Sequence, residues 1–222
     1  MLSLPAAQNR VLANGALLAA LLIHNLTYPL SAAAGVWPAI FYGFYASIFV
    51  IATWALTTLK PLRALMAFTG LIVLLAGLLN SYAPTNLTAL AVYLSSIAYH
   101  LGMIIVLAHY TFAARTVMTD VLLSATSLYL VLGSGFAAVL AFIEWCAPGS
   151  FVASSGTTID WQQMVYFSYV TLTTLGYGDI TPVGFYAQSF VTFEAIGGTL
   201  YTVILLSRLV GLHASRVPQS DN

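Results

Sequence analysis

Thr173-Thr174-Leu175-Gly176-Tyr177-Gly178-Asp179 lies between two long apolar stretches of a 222-residue chain. Glycines at alternate positions permit backbone conformations that residues with a Cβ resist. With Gly176 and Gly178 in such conformations, successive carbonyls can point the same way. Residues 162–173 read as a short helix that Thr158 or Asp160 can cap. It is too short to cross a bilayer and suits a re-entrant segment. Its negative C-terminal end aims at the glycines. Non-helical backbone at membrane depth is tolerated only where it is buried in protein or lines a water-filled path. Aligned carbonyls along such a path replace the hydration shell of a monovalent cation. Short helix, Gly-x-Gly segment and return to a full span together describe an ion filter.

The surroundings of the motif require a membrane. The chain is 60 % hydrophobic and only 5 % charged, against about 25 % charged in soluble domains, and its mean hydropathy is +0.94. Too little polar surface exists to cover a soluble fold, and a disordered chain needs the opposite composition. Six Lys+Arg balance six Asp+Glu, so no net field attracts nucleic acid. The single Cys146 excludes a disulfide framework and any Cys-x-x-Cys site. Six stretches are long enough to span: 11–30, 37–59, 62–80, 87–112, 119–143 and 184–212. Tyr28-Pro29, Trp37-Pro38, Lys60-Pro61, Asn80 to Pro84 and the Arg115 region punctuate them. The runs are continuous rather than alternating, which favours helices over a barrel. The expected fold is an all-α membrane protein of six transmembrane helices, with a re-entrant pore helix and filter loop between helices five and six.

Arg10, Lys60, Arg63, Arg115, Arg208 and Arg216 all fall on one side of a six-span chain. The positive-inside rule then places both termini in the cytoplasm. The rival reading is a cleaved leader over residues 1–34, ending at Ser31-Ala32-Ala33-Ala34-Gly35. The sequence shows no internal repeat. The short tail beyond Leu212 gives no expectation of a soluble ligand-binding domain.

Thr174-Leu175-Gly176-Tyr177-Gly178-Asp179, with Thr173 before it and Pro182 after it, resembles the potassium channel signature Thr-Val-Gly-Tyr-Gly-Asp. The resemblance covers residues 119–212 and is to the six-span, tetrameric, prokaryotic kind of potassium channel. It implies that the carbonyls of Thr174, Leu175, Gly176 and Tyr177, with the Thr174 hydroxyl, coordinate K⁺ as the permeant ion. Leu175 replaces the commoner Val or Ile, at a side chain that the family points away from the pore. Gly178 and Asp179 support the filter, and Asp179 hydrogen-bonds behind it. The family's usual Trp partner for that Asp is replaced here by Tyr166 and Phe167, so a phenol can supply the donor. Val170 stands where many members carry a Glu. One chain supplies one filter strand and a cage needs four, so the resemblance implies a homotetramer in a lipid bilayer. The division is a four-helix N-terminal domain over 1–115 and a pore domain over 116–222, in the cell membrane.

Other residues carry weaker signals. Gly197-Gly198 in the sixth span read either as a hinge of the inner helix or as a site of close helix packing. Thr199, Thr202, Leu206 and Val210 share one helical face and, by alignment with the family, line the inner cavity, with Leu206 and Val210 able to constrict it. Glu194 is an acid well inside a span, which is a functional hypothesis by default. It reads as either protonated or bonded to pore-helix hydroxyls such as Thr171. Span four, 87–112, contains no Lys or Arg, so the charged voltage sensor of related channels is missing. His100 and His109 face nearly opposite sides of that span and cannot chelate one metal. All four histidines, with His24 in span one and His213 at the cytoplasmic end, read as polar packing or headgroup contacts. Asn25-Leu26-Thr27 and Asn86-Leu87-Thr88 fit a glycosylation pattern at places better suited to packing and capping. No nucleophile–base constellation is visible, so no enzyme activity or further cofactor is expected. The alternatives are a weakly selective cation channel, a transporter and a non-conducting accessory or sensory subunit.

Overall fold

The computed structural model describes residues 7–33, 35–56, 60–114 and 118–214. Arg115 and Arg216 lie outside them, as does the proposed boundary between residues 115 and 116. The elements run α1 (Ala7–Thr27), α2 (Trp37–Val50), α3 (Lys60–Tyr82), α4 (Asn86–Ala113), α5 (Thr119–Cys146), β1 (Phe151–Ala153), α6 (Trp161–Leu172), β2 (Ile180–Pro182) and α7 (Phe185–Ala214). A 3₁₀ turn over Tyr28–Ala32 prolongs α1, and a π-helical turn over Ile51–Leu56 prolongs α2. Among the described residues, six helical segments are long and apolar enough to cross a membrane, at the places the apolar runs predict.

Local chemistry sets the ends. Pro38 stands in the first turn of α2, where its missing N–H costs nothing. Thr85 caps α4, accepting from Thr88 N at 3.1 Å while Thr88 Oγ1 accepts from Thr85 N at 2.9 Å. Asp160, rather than Thr158, caps α6, and its backbone N–H donates to Gln163 Oε1 at 3.0 Å.

The first core joins α1 to α5 through Leu17, Phe41, Met66, Tyr99, Met103 and Leu128. The second joins α5, α6 and the two strands through Leu140, Phe151, Met164, Phe167 and Ile180. On α3 the inward stripe beyond Met66 is small (Thr69, Gly70, Val73, Ala76, Gly77). Its outward stripe, Leu65, Phe68, Leu71, Leu75 and Leu79, is large, apolar and exposed. That inversion of a soluble helix's polarity is what a lipid-facing surface requires.

The antiparallel pairing of β1 and β2, with Val152 opposite Thr181, is a small addition to the all-α expectation. It ties the chain after the glycine motif to the loop that follows α5. Glu144 closes that loop by accepting from Gly149 N at 2.8 Å and Phe151 N at 3.0 Å.

Candidate functional site: the segment after the short helix

The segment Thr174 to Gly178 hangs from the C-terminal end of α6. Thr174 N donates to Thr171 O at 2.9 Å, and Leu175 N and Gly176 N both donate to Val170 O, at 2.9 and 3.3 Å. The N–H groups thus turn back onto the last helical carbonyls, which a helix end leaves unsatisfied. The carbonyls of Thr174, Leu175, Gly176 and Tyr177 accept no hydrogen bond among the described residues. Four consecutive free acceptors are unusual in folded protein.

The backbone explains this division. Thr174, Gly176 and Gly178 have φ of 59°, 57° and 78°, while Leu175 and Tyr177 between them are not in the positive region. Alternating the sign of φ puts successive carbonyls on one side and N–H groups on the other. The glycines accept this conformation freely. Thr174 does not, because a β-branched residue at positive φ is a steric outlier. Such strain persists only where surrounding structure holds it, and it clusters at functional sites. The sequence motif does not disclose this strained threonine.

Asp179 stands beside the segment. Tyr166 OH donates to Asp179 Oδ2 at 2.7 Å, and the rings of Tyr166 and Tyr177 stack 7° from parallel with centroids 6.4 Å apart. Phe167 packs edge-on against Phe151 at 5.6 Å instead, so of the two expected partners only Tyr166 reaches the carboxylate. Accepting from the phenol, Asp179 pushes the Tyr166 pKa up to about 12. A raised tyrosine pKa favours the neutral donor. The contact is fully present below the ordinary value of about 10 and is lost only as pH rises through about 12. Tyr166→Phe removes the donor and leaves the stacking. It is expected to lower the thermal midpoint of unfolding by loosening the Asp179 contact, whereas an unchanged midpoint counts against the brace.

Behind α6, Glu194 is fully buried. Its partner is Ser168, not Thr171, with Oγ and Oε1 2.5 Å apart. Ser168 Oγ also lies 2.7 Å from Gly133 O. A hydroxyl has one hydrogen, so it cannot donate to both oxygens.

Gly198 lies one turn below Glu194 on α7. A Cβ there would stand 2.3 Å from Leu172 O, at the last residue of α6, whereas a Cβ on Gly197 meets nothing within 4 Å. Gly198 is therefore a packing glycine. Thr199, Thr202, Leu206 and Val210 all lie on exposed positions of α7. Arg208 turns the other way and donates to the carbonyls of Thr111, Phe112 and Ala114, neutralising the negative end of α4. His213 has no described side chain.

The first four helices are bolted to this assembly. Asn25 Nδ2 donates to Tyr169 OH at 2.7 Å, and Gln162 Nε2 donates to Ser31 Oγ at 3.0 Å. Sequence reading gives Asn25 only a glycosylation pattern. Its role in joining α1 to α6 depends on a contact 144 positions away.

Residues 117–213, covering α5, α6 and nearly all of α7, match the ion channel family. The chain is an all-α, multi-pass membrane protein whose residues 117–213 are similar to the ion channel family. Two pore potassium channel c of Oryza sativa subsp. japonica is 40 % identical over 82 residues, which is 37 % of this chain and 16 % of that protein. The chain thus spans about a sixth of that relative's length. No solved structure matches.

Proposed function

We propose that this chain forms a K⁺-selective channel that conducts passively down the electrochemical gradient, through a pore built by four copies. The observation that carries the reading is the row of four unengaged carbonyls from Thr174 to Tyr177, with alternating φ, at the end of a short helix. Such carbonyls replace the water around a dehydrated monovalent cation. The relative named as a potassium channel supports K⁺ as that cation. Gly178 and Asp179 hold the outer end of the row.

One chain contributes one side of a cage, which supports the tetramer. So does α7: Phe193, Ile196, Leu200, Val203 and Leu206 are all more than half exposed in the single chain. In this reading residues 116–222 form the pore domain, with Thr199, Thr202, Leu206 and Val210 toward the conduction path. Residues 1–115 form a sensor-less four-helix domain. Each gating charge supplies about 2.3 kcal/mol per 100 mV, and α4 carries none, so steep voltage dependence is not expected. The grouping of Lys and Arg supports cytoplasmic termini in a cell membrane.

Glu194 is read as a neutral carboxylic acid. Its proton goes to Ser168 Oγ, which then gives its own hydrogen to Gly133 O, so every contact in the chain of bonds has one hydrogen. Glu194→Gln, whose amide can donate in the same way, is expected to conduct like the native channel at neutral pH. Glu194→Ala, leaving Ser168 and a cavity, is expected to lose about 1–3 kcal/mol of stability. A Gln variant as impaired as the Ala variant overturns this assignment.

The test of the function is ion flux and mass together. Proteoliposomes loaded with K⁺ should empty while Na⁺-loaded ones do not, and the purified particle should weigh four times the 23.7 kDa chain. Equal release of both ions contradicts selectivity, and a stable dimer contradicts the pore.

A further inference from the structure

His24 and His100 are 76 positions apart in sequence, yet they line one cavity. It sits where α1, α2, α3 and α4 meet α5 and α6. The space open to water centres is ≈ 80 Å³, room for several waters at about 10–15 Å³ each. Phe41, Val73, Val92, Ala137, Ala138 and Ala141 give it a mostly apolar wall. Two polar atoms on that wall have no partner: His24 Nδ1 and the Tyr45 hydroxyl. Both side chains are more than nine-tenths buried, at 8 % and 5 % exposure. Their rings lie side by side, with centroids 5.4 Å apart. Two other polar groups on the wall are engaged: His100 Nδ1 bonds Ser96 O at 2.8 Å, and Ser134 Oγ bonds Leu130 O at 3.2 Å.

Buried polar atoms without partners cost about 1–3 kcal/mol each, so two beside one cavity call for an occupant. Water is a poor one, because several waters against an apolar wall leave most of their own hydrogen bonds unmade. An ion is worse. No Asp, Glu, Lys or Arg lines the cavity, and a buried charge without a counter-charge is expensive. A hydroxyl both donates and accepts, so one hydroxyl can serve His24 Nδ1 and Tyr45 OH together while its apolar body meets the alanines and valines. This is the usual composition of a small-molecule site.

We propose that this cavity is a binding site for a small uncharged amphiphile bearing one hydroxyl, an alcohol or phenol, held by His24 and Tyr45. Trp161 and Val165 of α6 form part of the wall, so occupancy bears directly on the helix that carries Thr174 to Gly178. Binding does not depend on the channel reading; its effect on current does.

The probes are phenol and benzene, which share a ring and differ by the hydroxyl. Thermal unfolding of the full chain in lipid nanodiscs reads binding, because a ligand selective for the folded state raises the midpoint. Phenol should raise it saturably and bind about three- to tenfold more tightly than benzene, the worth of one neutral hydrogen bond. Tyr45→Phe, which leaves His24 Nδ1 as the hydroxyl's one partner, should reduce that preference, and Ala138→Leu, which fills the space, should remove binding of both probes. If Ala138→Leu does not fold, the phenol-to-benzene ratio in native and Tyr45→Phe chains decides alone. A ratio of one in the native chain overturns the site, as does the same ratio in both chains or a shift that never saturates. Phenol should also change open probability in native channels, and do so only at higher concentration in Tyr45→Phe. Saturable binding without that change overturns the transmission to α6, and failure of all current leaves the thermal result to stand or fall separately.

Discussion

Gly176→Val is expected to abolish selective K⁺ current while leaving the six-helix fold intact. Gly176 has φ of 57°, and a Cβ there meets nothing within 4 Å. Within the single chain the penalty is therefore conformational. An L residue in the left-handed region costs about 1–2 kcal/mol, and a branched one is a genuine outlier. In a tetramer the cost recurs in every chain, roughly 4–8 kcal/mol in all, comparable with the whole stability of many domains. The segment escapes by returning position 176 to negative φ, which breaks the alternation and turns at least one carbonyl out of the row. Reversal potentials under bi-ionic conditions read this directly. A valine variant with native K⁺ preference would show that alternating φ is not what aligns the carbonyls.

The second large effect is expected at Gly198. A Cβ 2.3 Å from Leu172 O faces backbone that cannot rotate away. That carbonyl also accepts from Tyr129 OH at 3.2 Å. Gly198→Ala must push α7 off α6 or bend the end of α6, two residues before the strained Thr174. Overpacking of this kind typically costs about 1–3 kcal/mol. The expected outcome is a lower thermal midpoint and loss of most K⁺ current. Gly197→Ala is the control. Its Cβ enters open space, and replacing a mid-helix glycine gains about 0.5–1 kcal/mol. If Gly197→Ala silences the channel while remaining more stable, Gly197 serves as a hinge. If Gly198→Ala is fully active, the packing account fails.

What the sequence discloses here follows from the solvent it is built for. In hydrocarbon, backbone groups must be satisfied within their own segment, so continuous apolar runs could only be helices. Their ends came out close because Pro38, Thr85 and Asp160 carry local capping chemistry. The glycine motif was legible because Gly-x-Gly at membrane depth has few uses. The strands Phe151–Ala153 and Ile180–Pro182 were not legible. At three residues each they show no periodicity, and their pairing is long-range. Positive φ at Thr174 was hidden because residue type argues against it. That Glu194 meets Ser168 rather than Thr171 among the pore-helix hydroxyls is set by the rotation of α7 against α6, a packing outcome. His24 and His100 read as separate packing groups for the same reason. Each of these misses depends on tertiary placement rather than on local pattern.

The central claim is that residues 174–177 form a K⁺-selective conduction path. The most direct measurement is the reversal potential of the purified full chain in a planar bilayer, with K⁺ on one side and Na⁺ on the other. Unitary currents are expected to reverse near the K⁺ equilibrium potential. Currents reversing near zero, with K⁺ and Na⁺ passing equally, would contradict it.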